Sequence, residues 1–234
     1  MRGLILAAGR GSRMVQATAD RPKALVELGG AALLDWQLAA LRAAGIAEIA
    51  LVRGYRGEAF AGRGLRLFDN PRWAETNMVA SLVAARTWLE AGPCVVSYAD
   101  IFYPPEAVSR LAAAEGDIVL AYDPDWLALW SRRFADPLAD AETFRIDATG
   151  RVVEIGGKTR NAAEIEGQYV GLFKLSPAGW RRIDAFVRSC PPERRARLDV
   201  TGMLAGLIAA GVEVRGVAIP GPWGEVDAPS DLAL

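Results

Sequence analysis

The sequence predicts an α/β fold: a Rossmann-like, open and mostly parallel (mixed) sheet flanked by helices, with a small antiparallel lobe or lid. Three observations lead to this prediction. Short apolar segments typical of buried strands alternate with segments of helical periodicity up to residue 122. A glycine-rich turn directly follows the first of these strands. Beyond residue 122, short strand-like segments around a turn replace the alternation.

The amino-terminal half supplies the alternation. A strand from Gly3 to Ala7 leads into the glycine-rich turn at 9–12, and a helix from Leu33 to Ala44 ends at Gly45. This order of strand, loop, helix and strand predicts a right-handed parallel crossover. The same criteria predict strands at 46–52, 65–68, 94–98 and 118–122, and helices at 78–90 and 105–115.

The carboxyl-terminal half has a different pattern. Residues 123–138 are rich in tryptophan, proline and charge, and no regular element is assigned to them. Short strands at 143–147, 151–155 and 168–175 are assigned to the antiparallel lobe. Helices at 177–189 and 198–210, a strand at 213–218 and a loop at 223–229 follow. We expect one domain over 1–234, divided into segments 1–122, 123–175 and 176–234.

Composition excludes several classes of function. The 27 basic and 28 acidic residues give a formal net charge of -1, so no global positive field attracts nucleic acid or an anionic membrane. The absence of histidine excludes Ser-His-Asp and Cys-His nucleophile systems, the histidine-containing zinc signatures and imidazole acid-base steps. Arginine supplies nearly all the positive charge, and the remaining lysines are candidates for sites that need a compact point charge: Lys23, Lys158 and Lys174.

Cysteine usage and hydropathy predict where the protein resides. Cys94 and Cys190 lie far apart in sequence and show no metal-binding spacing, which favours free thiols in a reducing compartment. No apolar run approaches the length of a transmembrane helix, and the apolar run at the amino terminus is too short for a signal peptide. We therefore expect a cytoplasmic protein.

The sequences LAAGRGSRM (Leu6 to Met14) and RPKAL (Arg21 to Leu25) carry the main chemical motif. Glycines after a buried strand allow backbone N–H groups to approach phosphate oxygens, and Arg13 and Lys23 add positive charge there. The motif lacks both the GKS/T end of a P-loop and the GxGxxG of a dinucleotide fold. It predicts a phosphate-binding turn, although glycine-rich turns of purely structural origin are also common in α/β folds.

Together these motifs resemble the signature of the nucleotidyltransferases that join a nucleoside triphosphate to a phosphorylated small molecule and release pyrophosphate. The resemblance extends along nearly the whole chain. Asp100 in SYADIFY and Asp227 in WGEVDAPSDL match the two aspartates that hold Mg²⁺ in the family. Lys158 in GRVVEIGGK matches the lysine that binds the acceptor's phosphoryl group, although Gly157 and Thr159 replace the usual Glu and Pro.

Three further segments resemble the cytidylyltransferases that act on phosphocholine or on phosphonates such as 2-aminoethylphosphonate. They are GYRGEAF (54–60), ETNMVASL (75–82) and EGQYVGLFKLSPAGW (166–180). The resemblance implies CTP, Mg²⁺ and a small phosphorylated or phosphonate acceptor. It also implies a nucleotide-binding core over 1–122, an acceptor-binding lobe over 123–175, and closing helices, last strand and metal loop over 176–234.

The resemblance and phosphate chemistry assign roles to individual residues. Lys23 is expected at the α-phosphate, Arg13 at the β- and γ-phosphates, and Lys158 at the acceptor's phosphoryl group. An acceptor ionised at neutral pH needs no strong general base, so a site without histidine is sufficient. Candidate nucleotide-binding residues are Leu6, Ala7, Ala8, Gly9, Gly11, Ser12, Arg13, Lys23, Gly54, Tyr55, Ser81 and Asp100. Candidate acceptor-binding residues are Trp126, Trp130, Lys158, Tyr169 and Asp199.

The sequence leaves open both the charge of the acceptor's head group and the class of reaction. Trp126, Trp130 and Tyr169 could form a cage for an ammonium group through cation–π contacts, with counter-charges from Asp125, Glu166 and Asp199. Ordinary packing would explain the rings equally well, and an anionic acceptor follows if Arg132 and Arg133 point inward. A sugar-1-phosphate nucleotidyltransferase and a non-catalytic nucleotide sensor are the alternative functions. A homodimer through the antiparallel lobe is compatible with the sequence.

Overall fold

A computed structural model describes residues 1–219 and 221–233, without the side chain of Val15. Pro220 and Leu234, both in the segment expected to close the chain, lie outside the described residues. The strands are β1 (Arg2–Ala7), β2 (Glu27–Leu28), β3 (Ala31–Ala32), β4 (Ile49–Arg53), β5 (Arg66–Asp69), β6 (Cys94–Tyr98), β7 (Ile101–Phe102), β8 (Ile118–Asp123), β9 (Phe144–Ile146), β10 (Val152–Ile155), β11 (Gln168–Leu175), β12 (Arg215–Ala218) and β13 (Gly224–Glu225). The α-helices are α1 (Leu33–Ala43), α2 (Met78–Ala84), α3 (Arg86–Glu90), α4 (Pro105–Ala113), α5 (Trp126–Arg133), α6 (Pro177–Ser189), α7 (Pro192–Arg197) and α8 (Val200–Ala209).

The central sheet has seven strands in the order β12-β8-β11-β6-β1-β4-β5. β11 runs antiparallel to both of its neighbours, and every other pair of adjacent strands in this sheet is parallel. Two-stranded antiparallel sheets pair β10 with β9, β13 with β7 and β2 with β3. The predicted mixed and mostly parallel α/β architecture is confirmed.

Helices cover both faces of this sheet, because its strands are apolar on both sides. Along β1, Leu4 and Leu6 join one apolar cluster, whereas Ile5 and Ala7 join the other, as the two-residue period of a strand requires. α2, α3, α6 and α8 contribute apolar side chains to the first cluster. α1, α4 and α5 contribute to the second cluster. The sheet therefore lies between two layers of helix, with its strand ends free to form a site.

Polar side chains fix where several helices begin. The Ser176 hydroxyl accepts hydrogen bonds from the backbone N–H groups of Ala178 and Gly179, and Pro177 occupies the first position of α6. The Asp199 carboxylate accepts from Gly202 N–H at the start of α8. The Asn77 side chain accepts from Met78 N–H at the start of α2. The last of these caps lies next to the site described below.

The structure corrects several predicted elements. β11 was expected in the antiparallel lobe, but it lies in the central sheet between β8 and β6. Nearly all of its side chains are buried, including Gln168 and Lys174, and its apolar residues fit a central strand as well as a small lobe. The helix expected over 78–90 is interrupted at Ala85. α7 and α5 were not predicted as separate helices.

Helix α5 lies within the segment to which the sequence analysis assigned no regular element. Trp126 and Trp130 are four residues apart, so they occupy one face of the helix and enter the core. The arginines at its end occupy the last turn, where positive charge complements the helix dipole. Eight residues are too few for a clear helical period, which is why the sequence did not reveal it.

Two further predictions concern the cysteines and the membrane. Cys94 and Cys190 are both free and buried. In the described part of the chain, no helix combines the length and apolarity that crossing a membrane requires.

Candidate active site

A cavity of about 260 Å³ opens at the carboxyl ends of β1 and β6. Open α/β sheets bind ligands at this edge, because strand ends and the following loops converge there. Most of the predicted nucleotide-binding residues line it, together with residues from the loop before α2. The lining consists of Leu6, Ala7, Ala8, Gly9, Gly11, Ser12, Arg13, Lys23, Ala24, Trp73, Thr76, Asn77, Met78, Ser81, Tyr98, Ala99 and Asp100.

The glycine-rich turn packs directly on the stem of Lys23. Gly11 has a left-handed φ of 68°, and a Cβ atom at this position would lie 2.8 Å from the Lys23 Cβ atom. Both facts require glycine at position 11. The Gly11 carbonyl accepts hydrogen bonds from Met14 N–H and the Thr18 hydroxyl, which closes the turn. The turn thereby holds Lys23 at the floor of the cavity.

Three carboxylates gather beside this lysine: Asp100, Glu225 and Asp227. Each offers one oxygen atom, and these oxygens all lie within 4.8 Å of one another. Pairing of β13 with β7 brings Glu225 opposite Ile101, and Val226 N–H donates to the Asp100 carbonyl at 2.8 Å. Two segments distant in sequence therefore form one acidic cluster.

Cationic side chains neutralise this cluster from the cavity side. The Lys23 Nζ atom lies 2.7 Å from Asp100 Oδ2 and 2.5 Å from Asp227 Oδ1, and the lysine side chain is 10% exposed. Arg13 Nη2 lies 3.0 Å from the same Asp227 oxygen. Burial alone would lower the pKa of Lys23, but the charges of Asp100 and Asp227 outweigh it and raise that pKa. Lys23 is therefore a permanent positive charge at neutral pH.

Glu225 and Asp227 differ in their electrostatics. Burial opposes ionisation of Asp227, but Lys23 outweighs burial and keeps the pKa of Asp227 below its usual value. Burial and the charges of Asp100 and Asp227 together raise the pKa of Glu225 above its usual range, against the opposing effect of Arg133. Glu225 therefore takes up a proton more readily than Asp227 does.

The donor set fits a divalent cation. Asp100 Oδ1 is buried and has no hydrogen-bond partner within residues 1–219 and 221–233. Buried carboxylate oxygens are costly unless they are paired or bind a cation, and carboxylate oxygens are the ligands that Mg²⁺ prefers. Asp100, Glu225 and Asp227 are the residues that would hold such an ion.

Buried polar side chains position the acidic cluster. Asp231 Oδ2 accepts hydrogen bonds from the N–H groups of Asp227 and Ala228, each at 2.8 Å. Gln37 on α1 donates to the carbonyls of Tyr98 and Ile101, on either side of Asp100. Both loops that carry the carboxylates are therefore fixed by hydrogen bonds to their backbones.

Two predicted base- or ribose-binding residues, Gly54 and Tyr55, are not among the residues that line the cavity. A Cβ atom at Gly54 would come within 2.6 Å of the Ala8 carbonyl oxygen, so glycine allows close approach of the loops after β1 and β4. The Tyr55 hydroxyl donates to the carbonyls of Thr18 and Ala19. Both residues support the turn from outside the cavity.

The predicted aromatic cage is not formed by Trp126, Trp130 and Tyr169. The two tryptophans are 3% and 4% exposed, and they pack in the apolar cluster on one face of the sheet. Their indole N–H groups donate to the Ile165 carbonyl and to Asp140. Tyr169 packs instead on the opposite cluster, against Tyr98 and Phe173. These tryptophans serve the core, which was the alternative explanation for the rings.

The counter-charges expected beside that cage are also dispersed. Glu166 accepts from Ile146 N–H in the β9–β10 sheet region. Asp125 precedes α5 and is exposed. Arg133 does point inward, but toward the carboxylates of Glu225 and Asp231. The structure therefore gives Arg133 no place in binding an anionic acceptor.

Lys158 and Asp199 are not among the residues that line the cavity. Lys158 Nζ donates to the carbonyls of Asp140 and Ala141 at 2.8 and 3.2 Å. Glu142 lies in electrostatic contact with Lys158, Asp199 and Asp140, and burial raises the pKa of Glu142. Asp199 also acts electrostatically on Tyr98, which lines the cavity and adjoins Asp100. The role of Lys158 at a phosphoryl group stays a prediction.

Sequence reasoning missed several residues of this site. Glu225 had a detectable signal, because it stands two residues before Asp227 and alternate residues of an extended segment face the same side. Gln37 also had one, as a polar residue among the apolar positions of α1. Thr76 lies in the segment 75–82 that carried the resemblance, whereas Trp73, in the loop before α2, had no signal. Arg133 was named only for an anionic acceptor, and nothing in the sequence indicated its contacts with Glu225 and Asp231.

Comparison with known proteins gives consistent results. Residues 3–154 match the family described as the MobA-like NTP transferase domain. The CTP:phosphoglutamine cytidylyltransferase of Campylobacter jejuni is 35% identical over 251 aligned positions, covering 100% of this chain and 98% of the relative. The 2-aminoethylphosphonate cytidylyltransferase of Lancefieldella rimae is 29% identical, covering 65% of this chain and 59% of the relative.

A solved structure shares the fold. The CTP:phosphocholine cytidylyltransferase of Streptococcus pneumoniae superimposes with a TM-score of 0.75 at 20% identity, covering 99% of this chain and 96% of that one. The resemblance to nucleotidyltransferases, and among them to cytidylyltransferases, is therefore confirmed at the level of family and fold.

Proposed function

This chain belongs to the MobA-like NTP transferases and is a nucleotidyltransferase, and from that premise we propose that it transfers CMP from CTP to a small phosphorylated or phosphonate acceptor. The observation that carries the proposal is the convergence of Lys23 with Asp100 and Asp227 beneath the glycine-rich turn. The relative from Campylobacter jejuni, which aligns over nearly its whole length, is named a cytidylyltransferase, and this supports CTP as the donor.

The chain's residues suit this transfer. An oxygen of the ionised acceptor attacks the α-phosphorus of CTP, the bond to the bridging β-phosphate oxygen breaks, and pyrophosphate leaves with the electron pair. No proton has to be removed from the acceptor, so no imidazole base is needed. Lys23 and Arg13 line the cavity and bring positive charge to the phosphates, and N–H groups of the glycine-rich turn are available as further donors.

We include Mg²⁺ as the cofactor, held by Asp100, Glu225 and Asp227. When bound, a divalent cation neutralises charge on the phosphates and on the leaving pyrophosphate. Removal of divalent cations with EDTA should stop pyrophosphate release, and added Mg²⁺ should restore it. Full turnover in EDTA would contradict the metal requirement.

The acceptor end of the site favours a molecule with a cationic group. Two carboxylates, Asp140 and Asp199, and one cation, Lys158, act on Glu142, so this group of four side chains has three carboxylates and one cation. Tyr98 connects this acidic region with the cavity, since both Asp100 and Asp199 act on it. A phosphonate or phosphate near Lys23 with an amine toward Glu142 would satisfy both charges.

The first test is pyrophosphate release with Mg²⁺ and each common nucleoside triphosphate. The acceptors are phosphocholine, 2-aminoethylphosphonate, 2-hydroxyethylphosphonate and glucose-1-phosphate. We expect turnover with CTP and a phosphocholine- or phosphonate-type acceptor. Turnover only with glucose-1-phosphate would replace the proposal by the sugar-phosphate alternative. Asp227→Asn should abolish activity, whereas Asp35→Asn, at an exposed ion pair with Arg63, serves as the matched control.

The acceptor's charge is tested by a matched pair of substrates and a matched pair of variants. Glu142→Gln should reduce kcat/KM for 2-aminoethylphosphonate about tenfold and leave 2-hydroxyethylphosphonate nearly unchanged, because only the amine loses a counter-charge. Glu154→Gln is the control, since Glu154 pairs with Arg145 on the β9–β10 sheet. Equal losses with both substrates would contradict a cationic acceptor. The predicted homodimer and the cytoplasmic location stay predictions.

A further inference from the structure

Arg133 is a buried charge that the transfer reaction itself does not use. Its side chain is 2% exposed and lies at the end of α5, where the guanidinium group is flanked by the rings of Trp130 and Phe134. Buried arginine is costly unless its donors are satisfied, so its partners indicate what it does.

Those partners are the carboxylates of Glu225, Asp227 and Asp231. Arg133 Nη1 lies 3.0 Å from Glu225 Oε2, and Nη2 lies 3.8 Å from Asp227 Oδ2. Its Nε and Nη2 atoms donate to the two oxygens of Asp231 at 3.3 and 3.4 Å, which is a fork-to-fork pairing. Asp231 in turn accepts the N–H group of Asp227. Arg133 therefore contacts Glu225 and Asp231, which lie on either side of Asp227 in the sequence.

The cations around the acidic cluster fall into two kinds. Lys23 and Arg13 approach from the cavity and face the space that the nucleotide phosphates would occupy. Arg133 does not line the cavity, is 2% exposed, and lies near the other oxygen of Asp227, Oδ2. Three carboxylates this close repel one another, and a fixed cation beside them reduces that repulsion.

We propose that Arg133 is a positioning residue that holds Glu225 and Asp227 in the arrangement needed to bind a divalent cation. Through it, helix α5 of the 123–175 segment sets the metal affinity of the nucleotide site. This inference rests on the proposed function, because that proposal identifies the metal site. Its main readout is metal binding, which does not require turnover. Residues that orient metal ligands affect affinity about 10- to 100-fold when changed.

The test is direct binding of Mn²⁺, followed by electron paramagnetic resonance, to the full chain in the presence of CTP and without acceptor. Arg133→Lys keeps the charge but cannot make the fork to Asp231 and the contact with Glu225 together. It should weaken Mn²⁺ binding about tenfold. The divalent concentration for half-maximal turnover should rise by the same factor, while kcat at saturating metal changes less.

The matched control is Arg86→Lys, at the partly buried pair between Arg86 on α3 and Asp184 on α6. It alters another arginine–carboxylate pair, outside the acidic cluster, so it should lower thermal stability without changing Mn²⁺ affinity. If Arg133→Lys melts earlier but binds Mn²⁺ as tightly as the unaltered protein, the proposal is overturned and Arg133 is merely structural.

Further variants separate the remaining outcomes. Arg133→Met should weaken Mn²⁺ binding more than Arg133→Lys does. If Arg133→Met does not fold, Asp231→Asn takes its place, and it should also weaken Mn²⁺ binding. A protein that binds Mn²⁺ with the predicted variant effects but transfers no CMP would refute only the proposed function. An unaltered protein that binds no Mn²⁺ with CTP would overturn the role of Arg133.

Discussion

The nucleotide side and the acceptor side of this molecule differ in how directly sequence determines them. On the nucleotide side, the predicted residues Arg13, Lys23 and Asp100 line one cavity at the ends of parallel strands. On the acceptor side, the predicted ring partners are divided between opposite faces of the sheet. Sites at strand ends are predictable because parallel strands all end at one edge. A site built from segments that pack on the faces of the sheet is harder to predict, because it depends on which face each side chain enters.

The largest expected effect is on the nucleotide side. Lys23→Met should reduce kcat by about 10² to 10³, the typical effect of removing one preorganised charge from a transition-state site. Pyrophosphate release measures it. Lys174→Met is the matched control, because Lys174 is also buried but donates to the Ala114 carbonyl away from the cavity. Equal losses in both variants would mean that lysine burial, not transfer chemistry, explains the effect.

The next prediction separates backbone strain from contact with Lys23. Gly11→Ala should raise the KM for CTP about tenfold or more, because the new Cβ atom would strike the lysine stem and the left-handed φ costs about 1–2 kcal/mol. Gly30→Ala has the same strain in the β2–β3 turn with open space around it. An equal change in KM for both variants would show that strain alone matters.

The third prediction tests the acceptor side. Trp130→Phe removes the hydrogen bond to Asp140 and part of a buried ring, so it should cost about 1–3 kcal/mol of stability. Thermal denaturation measures this loss. The KM for the acceptor should stay within about twofold, since the ring serves the core. A large rise in that KM at unchanged stability would restore the cage.

The smallest effect is expected at Tyr55. Tyr55→Phe loses the hydrogen bonds to the Thr18 and Ala19 carbonyls and should cost about 1 kcal/mol. Because Tyr55 is not among the residues that line the cavity, the preference for CTP over UTP should not change. A loss of that preference, measured as a ratio of kcat/KM values, would show that Tyr55 reads the base after all.

Most of the sheet could be predicted from the sequence, for identifiable reasons. β6 and β11 have the predicted bounds, Cys94–Tyr98 and Gln168–Leu175, because glycine and proline lie beside them in the sequence. The position of β11 within the sheet could not be predicted, since an apolar run of this kind suits any central strand. α5 escaped prediction because two tryptophans in one short helix do not define a period.

The candidate site divides in the same way. Lys23, Asp100 and Asp227 were found through motifs. The fold brings Lys23 into contact with Asp100, 77 residues away in sequence, and with Asp227, 204 residues away. Glu225 could have been found from its spacing to Asp227. Arg133 could not, because nothing local to α5 indicates that its last residue reaches the loop after β13.

By itself, the sequence determined the α/β class, the glycine-rich turn after the first strand and the absence of histidine, because composition and local periodicity report on them directly. The tertiary structure alone decided the face that each tryptophan of α5 enters, the sheet position of β11 and the burial of Arg133 beside the carboxylates. The physical reason is that burial and charge pairing are properties of surfaces brought together by folding. Residues far apart along the chain acquire them only when that chain is packed.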